Sequence, residues 1–497
     1  VSVTVTDLFC GAGGSSLGAE AAGLRLVMAA NHWQTAIDVH QAHFPHAGHD
    51  CADISAADPR RYPATDVLIA SPECTNHSQA RGVSRKRQDP SLWDAPDPSA
   101  ERSRATMWDV VRFAEQMRYA AVVVENVVDA ARWVGWRAWH LAMADLGYRR
   151  QVLSHNSMHH GVAQSRDRLY VVFWRPGLRP DLELERAAYC GRCDTTRPVR
   201  QGWKNGRTLG RYRQQWVWTC TTCGASCDPD TRPAVEIIDW ALPCPRIGDR
   251  RTKTGKPKPL AAATRARILA GLVRYGWAPV VTAGAGHTYE TTPGNRSRPV
   301  TDPLPVQGTT AAHALATPPG MLVQPHHRGA ERSRVRSVTN PLWTVTASDD
   351  RPALVVPLRR NGRAWPVDGP LPTVAAAGTH HALIMRNNGG GAEMVTPATE
   401  PLRTVTTKGH QSLLAPEPEI VYPDAVFGPG EFDRLIDACG FRMLEPHEIE
   451  LAMAFPGGYI PAALPKKARI KLAGNAVTPP VMTWVLGRVV HALEAAA

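Results

Sequence analysis

Val3-Thr4-Val5-Thr6-Asp7-Leu8-Phe9-Cys10-Gly11-Ala12-Gly13-Gly14 is a β-branched run that stops at a glycine-rich turn. The Val and Thr positions predict a strand. The glycines let the backbone fold tightly and approach a ligand at the strand end. The spacing is not the G-x-G-x-x-G fingerprint, so the turn alone fits a cofactor site and a plain strand-to-helix turn equally well. Further short runs, Leu26 to Ala30, Asp66 to Ala70, Ala121 to Glu125 and Leu169 to Trp174, alternate with helical stretches as far as about Pro180. That alternation predicts an α/β fold, a mostly parallel sheet with helices on both faces. Such sheets bind ligands beyond the carboxyl ends of their strands, where the glycine turn falls.

Two other strand ends carry chemistry. Ser71-Pro72-Glu73-Cys74-Thr75 directly follows Val67-Leu68-Ile69-Ala70, which places Cys74 where a nucleophilic thiol would be exposed. Alone, such a cysteine is more often a buried structural thiol. Glu125 closes the run Ala121 to Val124, and Gln164-Ser165-Arg166-Asp167-Arg168 leads into Leu169 to Trp174. Arginines beside a thiol favour the thiolate and fix an anionic substrate, while a nearby acid can protonate a ring nitrogen. Ordinary surface charge is the competing reading of Arg166 and Arg168. Asp53-Ile54 offers a carboxylate for an adenine amino group or a solvated loop Asp.

At 497 residues and 43% hydrophobic content the chain is expected to form two or three domains. The net charge is +12, of which residues 1–180 carry +1, residues 181–430 carry +11 and residues 431–497 carry none. A basic middle predicts contact with a polyanion. The longest apolar runs, such as Ala120 to Val124, are too short for a bilayer, so a cytoplasmic protein is expected with no membrane partner. Five of the ten cysteines cluster between Cys190 and Cys227, unlike a secreted disulfide framework. Cys190-Gly191-Arg192-Cys193 and Cys220-Thr221-Thr222-Cys223 form two Cys-x-x-Cys knuckles suited to one tetrahedral structural zinc, a zinc ribbon over about 188–228, with Cys227 a possible substitute for Cys223. The pairs His159-His160, His326-His327 and His380-His381 read as polar loop residues.

Between about 255 and 415 a phrase recurs: Lys258-Pro259-Leu260, Asp302-Pro303-Leu304, Asn340-Pro341-Leu342, Gly369-Pro370-Leu371 and Glu400-Pro401-Leu402. Three copies lead to apolar strands, Ala353 to Val356, Ala382 to Met385 and Ser412 to Leu414, which reads as an array of turn and strand units. Loops with Arg328, Arg332, Arg334 and Arg336, with Arg359, Arg360, Asn361 and Arg363, and with Arg386, Asn387 and Asn388 are candidates for DNA contact. Helices are expected at Ala262 to Tyr275, Leu444 to Phe455 and Val481 to Ala495.

The ordered motifs Phe9-Cys10-Gly11-Ala12-Gly13-Gly14, Pro72-Glu73-Cys74, Glu125-Asn126-Val127, Gln164-Ser165-Arg166-Asp167-Arg168, Leu444-Glu445-Pro446 to Ala454-Phe455-Pro456, and Gly474-Asn475-Ala476-Val477 resemble the DNA (cytosine-5)-methyltransferases of bacterial and phage type. The resemblance implies a Rossmann-like S-adenosylmethionine-dependent methyltransferase sheet over 1–180. It also implies a β-rich target-recognition domain over 181–430 and a segment, 431–497, that returns to the catalytic domain. By the same resemblance Phe9, Gly11, Gly13, Trp33, Asp53, Ile54, Asn475 and Val477 would bind S-adenosylmethionine. Cys74 would attack C6 of a flipped-out cytosine in double-stranded DNA, Glu125 would hydrogen-bond N3 and the exocyclic amine, and Arg166 and Arg168 would hold the base and catalytic loop. A monomer on DNA is expected. Three positions depart from the family pattern: His32 stands where an acid usually holds the ribose, and Glu73 and Thr75 flank Cys74 in place of proline and glutamine. Those departures keep open an inactive DNA-binding module and transfer of a modified group from an altered cofactor; an RNA cytosine-5 methyltransferase is a further alternative, which the long basic insertion disfavours.

Overall fold

The computed structural model describes residues 2–72, 98–274, 279–283, 294–307, 309, 312–317, 322–323, 336–337, 383–386, 395–397, 411–414 and 431–496, some of them by backbone alone. Its first part runs β1 (Thr4–Leu8), α1 (Gly14–Ala21), β2 (Arg25–Asn31), α2 (Gln34–His43), β3 (Gly48–Cys51), β4 (Val67–Ala70), α3 (Pro98–Met117), β5 (Ala121–Asn126), α4 (Trp136–Asp145), β6 (Arg149–Asn156), β7 (Gln164–Ser165) and β8 (Asp167–Trp174). Seven of these strands form one sheet in the order β3-β2-β1-β4-β5-β8-β6. The pairs from β3 through β5 are parallel, and β8 lies antiparallel between β5 and β6. This is the expected Rossmann-like sheet.

Every residue of β4 and β5 is buried, as a strand covered on both faces requires. Leu68, Val122 and Val124 pack with Phe113, Trp139 and Phe173 on one side. Val67, Ile69, Ala121 and Val123 face the other side, where Val481, Val485, Leu486 and Val489 of the last helix close the core.

A three-stranded antiparallel sheet follows, β9 (Glu185–Cys190), β10 (Thr195–Trp203) and β11 (Trp216–Cys220), with β10 central. Next come α5 (Ala262–Arg274), β12 (Val280–Ala283), β13 (Ser297–Pro299), β14 (Leu304–Pro305) and β15 (His313–Thr317). Of the repeat region the backbone of β16 (Leu322–Val323), β17 (Arg336–Ser337), β18 (Leu383–Arg386), β19 (Val395–Pro397) and β20 (Gln411–Leu414) is described. Strands β19, β18 and β20 pair into one antiparallel sheet, so two of the three expected repeat strands are neighbours. The third, Ala353 to Val356, lies outside the described residues, as do the arginine loops at 328–334 and 359–363, Asn387, Asn388 and the His326 and His380 pairs.

The chain ends in α6 (Glu431–Ala438), β21 (Gly440–Met443), α7 (Pro446–Ala452), α8 (Lys466–Asn475) and α9 (Pro479–Glu494). Helix α7 is shorter than the expected span from Leu444 to Phe455. Glu445 at the N-cap forms a capping box with Glu448 at N3, and Pro446 stands at the first helical position, which sets the start of the helix. Strand β21 adds to the edge of β13-β12-β15, so the sheet of the middle region is completed from beyond residue 431. Among the described residues no helix is long and apolar enough to cross a membrane.

Candidate active site and metal centre

Phe9, Gly11 and Gly13 all adopt positive φ, 62°, 55° and 95°. The turn after β1 therefore depends on glycine at two positions and holds Phe9 in the left-handed region that L side chains rarely adopt. The turn is clasped from the far end of the chain. A Cβ on Gly14 would stand 2.1 Å from the Val477 carbonyl oxygen, so only glycine permits that approach. The Tyr459 hydroxyl donates to the Ala12 carbonyl at 2.9 Å, and the Tyr459 ring stacks on His43 at 3.6 Å. Ala12, Ala473, Ala476, Phe455 and Tyr459 share one core cluster against which Trp33 packs.

Beneath the turn, Asp7 is fully buried and accepts from the Ser15 and Ser16 hydroxyls at 2.5 and 2.7 Å. Burial pushes its carboxyl up to about 6 from 3.8. A raised folded-state value favours the protonated form, so this contribution to stability is complete below about pH 4 and is lost as pH rises through about 6. Asp7→Asn should remove about 2 kcal/mol of the change in unfolding free energy between pH 4 and pH 7, measured by urea titration at each pH. An unchanged pH slope would contradict this assignment.

Of the other residues expected at the cofactor, Trp33, Asp53 and Ile54 follow strands β2 and β3, and Asn475 and Val477 lie at the end of α8 and just past it. Trp33 follows β2, with its amide donating to Asn31 Oδ1 at 2.9 Å and the Lys471 ammonium 4.1 Å over its ring. Asp53 is exposed, two residues past β3, while Ile54 is 2% exposed and its carbonyl accepts from Arg112. Asn475 ends α8 and is exposed; Val477 is buried. His32 is exposed beside Trp33.

Cys74 and Glu73 lie outside the described residues. The chain leading to them is placed: Ser71 donates its amide to the Leu8 carbonyl at 3.2 Å, and the buried Pro72 carbonyl accepts from Asn126 Nδ2 at 3.3 Å. Residue 72 thus passes beside Glu125 and Asn126. Glu125 is 8% exposed, and Arg168 Nε stands 3.0 Å from its Oε1. Register explains the meeting, since Glu125 opposes Tyr170 and Asn126 opposes Leu169, so Arg168 falls just past the end of β5. Burial pushes the Glu125 carboxyl up, and Arg168 and Arg166 pull it down without cancelling the effect.

Arg166 is 3% exposed and donates to three backbone carbonyls, Gln307, Gly474 and Ala476, at 3.3, 3.2 and 3.1 Å. It joins three stretches of chain that are far apart in sequence. The family resemblance implies that Arg166 holds the base and the catalytic loop, and nothing in local spacing signals the carbonyl contacts.

The four knuckle sulfurs, of Cys190, Cys193, Cys220 and Cys223, lie within 4.8 Å of one another. Cys190 and Cys223 are 3.4 Å apart, and Cys193 and Cys220 are 4.0 Å apart. The residue after each knuckle is left-handed, Asp194 at φ 53° and Gly224 at φ 71°, so both knuckles make similar turns. Four thiols converging from two matched turns fit a tetrahedral thiolate site for zinc. Cys227 is outside this group and contacts the Ala225 carbonyl. His159 is buried and His160 half-buried, and both are engaged, His159 with Trp218 Nε1 and His160 with His155 and Arg186.

The first part of the chain thus combines a Rossmann-like sheet, a glycine turn clasped by Val477 and Tyr459, and a buried acid at the end of β5. The model of the C-5 cytosine-specific DNA methylases matches residues 3–201. The Type II methyltransferase M.HgiGI of Herpetosiphon aurantiacus is 33% identical over 125 residues, 24% of this chain and 87% of the relative. M.HgiBI of the same organism is 34% identical over 184 residues, 36% of this chain and 38% of the relative. M.HhaI of Haemophilus parahaemolyticus is 27% identical over 177 residues, 35% and 49% of the two chains. The chain therefore belongs to the C-5 cytosine-specific DNA methylase family, although its match spans only 38% of the length of M.HgiBI.

Proposed function

We propose that the protein transfers a methyl group from S-adenosylmethionine to C5 of a flipped-out cytosine in double-stranded DNA. The observation that carries this reading is Glu125, a buried acid paired with Arg168 at the end of β5, beside the chain that leads through Pro72 to Cys74. Cys74 attacks C6 and forms a covalent bond there, which makes C5 electron-rich. Glu125 hydrogen-bonds N3 and the exocyclic amine and stabilises the charge that develops on the ring. Loss of the C5 proton then returns the electron pair that expels Cys74. The cofactor, when bound, supplies an electrophilic methyl group. Phe9, Gly11, Gly13, Trp33, Asp53, Ile54, Asn475 and Val477 line its site, and the Arg166 contacts hold Asn475 and Val477 at the glycine turn.

In this reading residues 1–180 form the catalytic domain, 181–430 the target-recognition domain and 431–497 the returning segment. The four knuckle cysteines hold a structural zinc, because four thiolates leave no open coordination position. The charge of +11 over 181–430 supports a DNA partner through phosphate contacts. The protein acts on DNA as a monomer.

A duplex containing 5-fluorocytosine tests the chemistry, since fluorine at C5 blocks the release step. The wild type should form a denaturant-stable protein–DNA adduct that requires S-adenosylmethionine, and Cys74→Ala should bind the duplex without forming it. Adduct formation by Cys74→Ala, or none by the folded wild type, would contradict the mechanism.

A further inference from the structure

The β9–β11 ribbon sits where it can act on the catalytic pair. Three of its aromatic residues are enclosed: Trp216 and Trp218 are 0% exposed and Tyr212 is 7% exposed, packed with Met158 and with Trp484 of α9. Rings enclosed in this way cannot stack on bases. The ribbon covers the open edge of the large sheet, where β6 ends the strand order. There Gln201 Nε2 donates to the Ser154 carbonyl at 2.7 Å, and the Gly210 amide donates to Ser154 Oγ at 3.1 Å.

The connection from β10 to β11 reaches further in. Leu209 packs against the core shared by Val124, Leu169 and Phe173. Arg211 Nη2 meets Asp129 Oδ2 at 2.6 Å, and the Tyr212 amide donates to Asp167 Oδ1 at 3.0 Å. Asp129 lies in the helical turn Val128–Arg132 that directly follows Glu125-Asn126-Val127. Asp167 is the neighbour of Arg168. One loop therefore grips both segments that carry the Glu125–Arg168 pair.

The ends of that loop are held by β10 and β11, and the thiol cluster joins the outer ends of the same ribbon, at Cys190 and Cys193 on one side and at Cys220 and Cys223 on the other. Other ties on Asp129 are weak: Arg132 is 3.7 Å away and its side chain is 75% exposed.

We propose that the zinc-loaded ribbon is a buttress of the catalytic pair, with Arg211 as its positioning residue, and that it does not read DNA. The proposal rests on the reading of Glu125 as catalytic. Zinc in the tetrathiolate site fixes the β9–β11 sheet, the sheet fixes the 204–215 loop, and the loop holds Asp129 and Asp167 so that Glu125 and Arg168 stay in register. A displacement of about 1 Å in such a pair costs on the order of 10²-fold in rate.

The full chain is the material for the test. Metal analysis should find one zinc per chain in the wild type and in Arg211→Met, and none in Cys190→Ser/Cys220→Ser. Arg211→Met should slow single-turnover methylation by about 10-fold or more, leave the dissociation constants for S-adenosylmethionine and DNA within twofold, and move the high-pH limb of the rate profile upward as Arg168 loosens from Glu125. Arg211→Lys should restore part of the rate. Unchanged rate and pH profile in Arg211→Met, or weaker DNA binding at unchanged rate, would overturn the proposal.

Hydrogen exchange separates this failure from failure of the functional reading. Amides of 125–129 and 166–168 should exchange faster in Arg211→Met and after zinc removal, whether or not the wild type methylates DNA. Equal protection in all forms would overturn the buttress alone, whereas absent methylation by the wild type would overturn the proposed activity.

Discussion

Glu125→Gln should lower the single-turnover rate of methyl transfer by about 10²- to 10⁴-fold while leaving affinity for S-adenosylmethionine unchanged. The substitution keeps the volume and one acceptor but removes the group that can hold or share a proton at N3. The position is enclosed, 8% exposed, so water cannot replace the lost contact. Arg168, 3.0 Å from the carboxylate, would lose its ionic partner at the same time. Because burial holds the Glu125 carboxyl above its ordinary range, the wild-type rate should fall as pH rises through that raised value. The variant should lose this limb of the profile. A rate within threefold of wild type would remove Glu125 from the chemistry.

Arg166→Met should destabilise the fold by about 3 kcal/mol or more, since three buried carbonyls lose a charged donor and each orphaned group costs about 1–3 kcal/mol. Its effect should extend to the cofactor. The Gly474 and Ala476 carbonyls that Arg166 holds flank Asn475, and Val477 presses on Gly14 of the glycine turn. Cofactor affinity should fall together with the melting temperature, read by calorimetric titration and thermal unfolding. Arg166→Lys should recover only part of both, because one ammonium cannot span three carbonyls in the way a planar guanidinium does. Full stability with normal cofactor binding in Arg166→Met would contradict the clasp.

The strands most readable in the sequence were those covered on both faces, such as Val67 to Ala70 and Ala121 to Glu125, because double burial leaves an unbroken apolar run. Strands β3 and β6 were not foreseen. Gly48-His49-Asp50-Cys51 has no apolar alternation, and β6 begins Arg149-Arg150-Gln151, an exposed edge stretch that imitates a loop. Helix α8 was missed for a related reason, since its lysines and Arg469 interrupt any single apolar face. The knuckle cysteines were legible because metal geometry fixes short spacing.

The Glu125–Arg168 contact could be anticipated only as two residues at neighbouring strand ends. What no local pattern encodes is contact across long separations: Arg166 on carbonyls more than 140 residues away, Tyr459 on Ala12, and Arg211 on Asp129. These depend on how the middle region and the last helices come back onto the sheet, and β21 completing the sheet of the middle region belongs to the same class.

The most direct test of the central claim is nucleoside mass spectrometry, with sequence-resolved mapping, of DNA from methylation-free cells that express the wild type or Cys74→Ala. 5-Methylcytosine at one recurring sequence with the wild type, and none with Cys74→Ala, is the predicted result. Unmodified cytosine in both, with folded protein in the cells, would contradict DNA cytosine methylation by this chain.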